Sequence, residues 1–109
     1  MNKQNKIKKR KEFNYIFNNG KPFFSNTITL VVVPSKLKQY KVGFSASKKV
    51  GNSVERNRAR RRMKEVARKH EDILKSGYNY VFIASNKIVE ATFMDIEKDF
   101  LLVVSKLDK

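Results

Sequence analysis

The sequence predicts a single α+β domain in which helices pack on a small sheet in the order αββαβα. Three observations predict it. Two β-branched or aromatic runs, 26–33 and 78–84, read as strands. A long stretch from Ser53 carries apolar residues at helical spacing, and Thr92 with Asp95 three residues on forms a capping-box-like helix start. The 109 residues fit one compact domain, 1–109, with no internal repeat and no second unit.

Taken in order, residues 1–8 are mostly polar and basic without periodicity, and read as a flexible basic arm. A short helix follows over 10–19, with Phe13, Ile16 and Phe17 at i, i+3 and i+4 and Gly20 at its C′ position. Asn26–Val33 is a strand that Pro34 stops. Tyr40–Ser47 is a second strand, with Val42, Phe44 and Ala46 on one face. Its other face, Gly43, Ser45 and Ser47, is small and polar and leaves room for something flat to lie against it. A helix from Ser53 to Lys75 presents Ala59, Met63, Val66, Ala67, Ile73 and Leu74 as its apolar stripe, with His70 on the same side as a partly buried packing residue. Ser76-Gly77 ends it, and Tyr78–Ala84 is the third strand. The last helix buries Phe93, Ile96, Phe100, Leu101, Val104 and Leu107.

Charge carries the functional signal. The 25 Lys and Arg against 10 Asp and Glu give +15, and the distribution is uneven. Residues 1–69 hold 20 basic and 3 acidic side chains, whereas residues 70–109 hold 5 and 7. Such a charge opposes compaction through self-repulsion, which a polyanion offsets. A merely soluble surface would mix the signs. With no cysteine there is no disulfide, thiolate metal site or thiol nucleophile, and the single histidine argues against a His-based zinc site or triad. No apolar run has the length of a membrane span, and MNKQNKIKKRKEF lacks the apolar stretch of a signal peptide, so the expected location is cytoplasmic.

The informative segment is Phe44–Glu65: a strand end, Lys48-Lys49, a Gly-Asn turn, then a helix start crowded with arginine. From Arg56 to Lys69, eight of fourteen residues are basic and only Glu65 is acidic. Asn57, Arg61, Lys64 and Arg68 form the stripe opposite the apolar one, flanked by Arg58, Arg62 and Lys69 on one side and Arg60 on the other. Like charges three or four apart cost a few tenths of a kcal/mol per pair, so helix stability alone does not explain them. Arginine binds phosphate bidentately and stacks on bases. The first helical turn offers free N–H groups to an anion, and Asn52 can donate its amide to phosphate or a sugar hydroxyl. Arg56 lies on the core side of the first turn, either in a local salt bridge or pointing into a groove beside the sheet.

The run Ser47-Lys48-Lys49-Val50-Gly51-Asn52, followed by Arg56-Asn57-Arg58 and a basic helix, resembles the signature of the bacterial ribonuclease P protein family, with its Arg-Asn-Arg motif. Lys8, Lys9, Glu12-Phe13 and Phe17 before Gly20 extend the resemblance to roughly residues 7–108. It implies a left-handed β-α-β crossover, which the common right-handed rule would not predict. It also implies a ribonucleoprotein whose RNA subunit, with magnesium ions, cleaves precursor tRNA to form the mature 5′ end. The protein itself then holds no cofactor, metal or catalytic residue, has no obligate protein partner, and helps distinguish substrate from product. Carried over, Lys48, Lys49, Asn52, Arg56, Asn57, Arg58, Arg60, Arg61, Lys64 and Arg68 face the catalytic RNA. Phe13, Phe17, Ser45 and Lys9 form a cleft for the single-stranded 5′ leader. At helical spacing, Phe13 and Phe17 fit either a stacking cleft or the core. The family's aromatic near the end of the first strand is replaced by Leu30, Val31 and Val32, leaving Tyr80 or Phe44 to substitute according to which sheet face is open. Two other readings stand beside this one. A ribosomal-type structural RNA-binding protein would not need the Ser-Lys-Lys-Val-Gly-Asn element, and a self-contained nuclease would need a carboxylate cluster that the scattered acids after residue 69 do not form.

Overall fold

The computed structural model describes residues 5–7 and 9–108, so Lys8 and residues 1–4 of the expected arm lie outside the described residues. Its principal elements are α1 (Arg10–Asn19), β1 (Lys21–Phe24), β2 (Ile28–Pro34), β3 (Lys41–Ser45), α2 (Ser53–Lys69), β4 (Tyr78–Ala84) and α3 (Phe93–Ser105). The class is α+β as expected, with one strand more. β1 escapes sequence reading because its four residues are largely exposed and include Pro22. Proline survives there because β1 is an edge strand.

The sheet order is β1-β2-β4-β3. β1 and β4 each pair antiparallel with β2, while β3 pairs parallel with β4, so α2 is the crossover connecting β3 to β4. β2 is buried along nearly its whole length because both sheet faces are covered. Toward α2 and α3 it sends Ile28, Leu30 and Val32, which join Val42, Tyr80 and Phe82 of the sheet, Met63 and Val66 of α2, and Ile96 and Phe100 of α3. The rings of Phe82 and Phe100 stack at 4.7 Å. Toward α1 it sends Val31 and Val33, which meet Ile16 and Val81 in a smaller cluster.

Several boundaries differ from expectation. Residues 5–7 are held against β3 rather than forming part of a flexible arm. The Ile7 amide donates to the Val42 carbonyl at 3.1 Å, and Asn5 Nδ2 donates to the Tyr40 carbonyl at 2.7 Å. Gly20 has extended backbone (φ −80°), not the left-handed cap. What it needs is closeness, since a Cβ there would lie 2.6 Å from the Ile16 carbonyl and press on Val31. α2 ends at Lys69, because His70 leaves helical geometry and a single 3₁₀ turn, Glu71–Ile73, follows. His70 thereby places Nε2 2.7 Å from Glu97 Oε2, beside Lys69 Nζ at 2.8 Å. These two partners, Lys69 first, hold the Glu97 carboxyl below its usual range. On α3, the Thr92–Asp95 capping box is present, but Phe93 and Leu101 face outward and Val103 is buried instead.

One long-range tie fixes the turn between β1 and β2. Asp99 Oδ2 on α3 accepts from both the Thr27 amide, at 2.9 Å, and Thr27 Oγ1, at 2.6 Å, and Thr27 is buried. Asp99→Ala leaves that amide without its partner, and is expected to cost about 1–3 kcal/mol. Urea unfolding of the variant checks it: the midpoint should fall with m unchanged.

Candidate nucleic-acid interface

Two surfaces emerge from this arrangement. The first is the outward side of α2. Burying Ala59, Met63, Val66 and Ala67 turns Asn57, Arg58, Arg61, Lys64 and Arg68 to solvent, and Lys48 and Lys49 are exposed on the preceding turn. That turn closes through the Val50 amide to the Ser47 carbonyl at 3.0 Å. Gly51, at φ 151°, then redirects the chain into the helix, in a conformation that side chains rarely adopt.

The helix start itself differs from the sequence reading. Asn52 is its N-cap: Oδ1 accepts from the Glu55 amide at 2.9 Å, and Glu55 Oε1 accepts from the Asn52 amide at 3.1 Å. This capping box puts a carboxylate where an anion was expected, so the first turn is not an open anion site. Asn52 is exposed, and its Nδ2 end is the part suited to phosphate. The signal was available, since Asn followed by Glu three residues on is a capping pattern. Asn57 Oδ1 accepts from Arg60 Nη2, linking two expected RNA-facing residues, and Arg60 is half-buried. Arg62 is tied inward, donating from Nη1 to the Ala91 carbonyl at 3.2 Å. Arg56 is half-buried, and its enclosed Nε has no hydrogen-bond partner among the described residues.

Lys6 joins this surface, which sequence reasoning missed because it assigned the segment to an arm. Contact with the Lys64 ammonium, and repulsion from it, holds Lys6 below the usual lysine range. Two cations brought together in this way fit a phosphate oxygen.

The second surface is an open cleft of about 500 Å³ on the α1 side of the sheet. It is lined by Ile7, Lys9, Arg10, Phe13, Asn14, Phe17 and Ser45, so all four residues expected there come together. Phe13 supplies the flat group that the small face of β3 was expected to admit. Its ring covers Gly43, where a Cβ would lie 2.8 Å from Cε2. Phe13 is half-buried, whereas Phe17 is 56% exposed and its ring is available. Arg10 and Asn14 were overlooked, although Arg10, Phe13, Asn14 and Phe17 follow the i, i+3, i+4, i+7 pattern of one helical face. Neither suggested substitute aromatic reaches the cleft. Tyr80 is fully buried and Phe44 stacks on Phe82 at 5.8 Å, both on the α2 and α3 side.

Among the described residues, no group of three or more His, Asp or Glu is placed to hold a metal ion, and no helix is long and apolar enough to cross a membrane.

Comparison with known proteins places this geometry. The ribonuclease P family profile matches residues 1–108. The ribonuclease P protein component of Alkaliphilus metalliredigens is 36% identical over 107 residues, covering 98% of this chain and 96% of that one. That of Clostridium botulinum is 38% identical over 105 residues, covering 95% of each. Among solved structures, the Staphylococcus aureus RNase P protein superposes with a TM-score of 0.84 over 94% of both chains at 24% identity. The Thermotoga maritima RNase P protein gives 0.82 at 20% identity, over 93% of this chain and 96% of that one. These two likenesses bear on the fold, and the closer relatives on kinship. The chain therefore belongs to the ribonuclease P protein family, whose members are the protein subunit of the RNase P ribonucleoprotein enzyme.

Proposed function

We propose that the two surfaces divide the work of a ribonuclease P subunit: α2 and its preceding turn bind the catalytic RNA, and the α1 cleft binds the 5′ leader of precursor tRNA. The observation that carries this reading is the convergence of Lys9, Phe13, Phe17 and Ser45 on one cleft. Single-stranded RNA is held by a basic groove and aromatic platforms, each stacked base contributing about 1–3 kcal/mol. Lys9 and Arg10 supply the charge and Phe17 the exposed ring. The arginines of α2, Arg68 among them, supply many phosphate contacts, with Lys48, Lys49 and Lys64 adding point charge.

Chemistry on this reading belongs to the RNA subunit and its magnesium ions. The protein supplies binding, positioning and charge neutralisation, in the cytoplasm. RNA-free protein should not cleave precursor tRNA, while adding it to a bacterial ribonuclease P RNA at low magnesium should raise the cleavage rate. Metal-dependent cleavage by the protein alone, lost on replacing Asp or Glu residues, would contradict the proposal.

The two surfaces should also respond differently to salt. Arg61→Ala removes a phosphate contact and is expected to reduce the slope of log affinity against log salt by about 0.7–0.9, with folding changed by no more than about 0.5 kcal/mol. Phe17→Ala is expected to weaken binding of leader-bearing substrate by about 1–3 kcal/mol while leaving that slope nearly unchanged. Salt titrations of the assembled complex, with and without a leader on the substrate, separate the two.

A further inference from the structure

We propose that Phe24 is a second base-stacking platform, and that the leader path runs from the α1 cleft across the open row of the sheet to the β1 edge. This rests on the leader reading of the cleft and extends it.

Strand register carries the argument. Ser45 pairs with Ile83, Ile83 with Thr29, and Thr29 with Phe24, so these four residues form one row across all four strands. All four point to the α1 side. Their chain neighbours Phe44, Ala46, Phe82, Ala84, Ile28, Leu30 and Phe23 pack on the opposite side. The next row inward is roofed by α1, with Gly43 beneath Phe13 and Val31 pressed against Gly20. The Ser45 row lies beyond that roof. Ser45, Ile83 and Thr29 are half-buried, and Phe24 is 63% exposed. Three inter-strand spacings make the row about 14 Å long, enough for more than one base. It begins at Ser45, which already lines the cleft with Phe17.

Phe24 is also held in place. Lys106 Nζ donates to its carbonyl at 2.7 Å, and the following turn closes through the Ser25 amide to the Ile28 carbonyl at 3.0 Å. A ring on a fixed backbone loses little freedom when a base stacks on it. Chemistry favours RNA over a second copy of this chain as the occupant. The net charge of +15 repels another copy, and Lys21 and Pro22 on β1 discourage edge-to-edge strand pairing.

The test uses the full chain assembled with ribonuclease P RNA, and precursor tRNAs whose 5′ leaders lengthen one nucleotide at a time. Phe24→Ala is expected to weaken binding about five-fold or more, but only beyond a threshold leader length. That threshold should exceed the one at which Phe17→Ala first acts. An abasic nucleotide at the threshold position should abolish the difference, and Phe24→Tyr should bind like the parent. Phe24→Leu, which keeps apolar bulk without the ring, gives the same readout if the alanine variant folds poorly. A length-dependent Phe17→Ala penalty with none for Phe24→Ala or Phe24→Leu would overturn the proposal and leave the cleft standing. Absence of both penalties would remove the cleft reading and this one with it. An equal Phe24→Ala penalty at every length, leaderless substrate included, would also overturn it. So would self-association, measured by sedimentation, that Phe24→Ala abolishes without affecting leader affinity.

Discussion

Because β3 and β4 run parallel, the chain between them must return from one end of the sheet to the other, and α2 is that return. This one pairing sets the layout of the molecule. It lays the basic helix over the face built from Leu30, Val42, Tyr80 and Phe82, so its apolar stripe is consumed by the core and its arginines are turned outward. It also ends β3 at Ser45, just before the Lys48-Lys49 turn. The cleft side of the sheet and the start of the basic surface are thus a few residues apart on one strand end.

The basic helix is stable because of what it packs on. Its arginines repel one another at helical spacing, a local cost that burial of Met63, Val66, Ala59 and Ala67 must exceed. The Asn52–Glu55 capping box fixes its start, and Glu97 binds Lys69 and His70 at its end. Among the described residues the middle has no comparable neutralisation, and an RNA backbone is expected to supply it there. The other face of the sheet is finished differently. α1 is short, and its ring at Phe13 seals only the row at Gly43, so the row from Ser45 to Phe24 stays partly open.

What the sequence made legible was local. The outward stripe of α2, the strand Tyr78–Ala84, the Thr92 cap and the aromatic face of α1 all follow from residue type at fixed spacing. Non-local contacts were not legible. β1 exists because Lys21–Phe24 lies beside β2, not because four residues including a proline prefer a strand. Residues 5–7 are ordered by β3 rather than by any pattern of their own. His70 leaves the helix toward Glu97, a partner 27 residues away. Phe93 and Leu101 fit an apolar helix face and yet lie outside, since the face of α3 that meets the core carries Ile96, Phe100, Val103 and Val104. In the candidate site, residue types were readable, whereas the face each strand turns toward α1 required the register.

The proposed division of work between the two surfaces can be tested directly, because a chain without cysteine allows one thiol to be placed at will. A photoreactive label on a single introduced cysteine, at position 17 or at position 61, is activated in the complex with ribonuclease P RNA and precursor tRNA. The label at position 17 should crosslink to the 5′ leader, and the label at position 61 to the RNA subunit. Crosslinks from position 17 that fall on the RNA subunit and persist unchanged when the leader is removed would contradict the account.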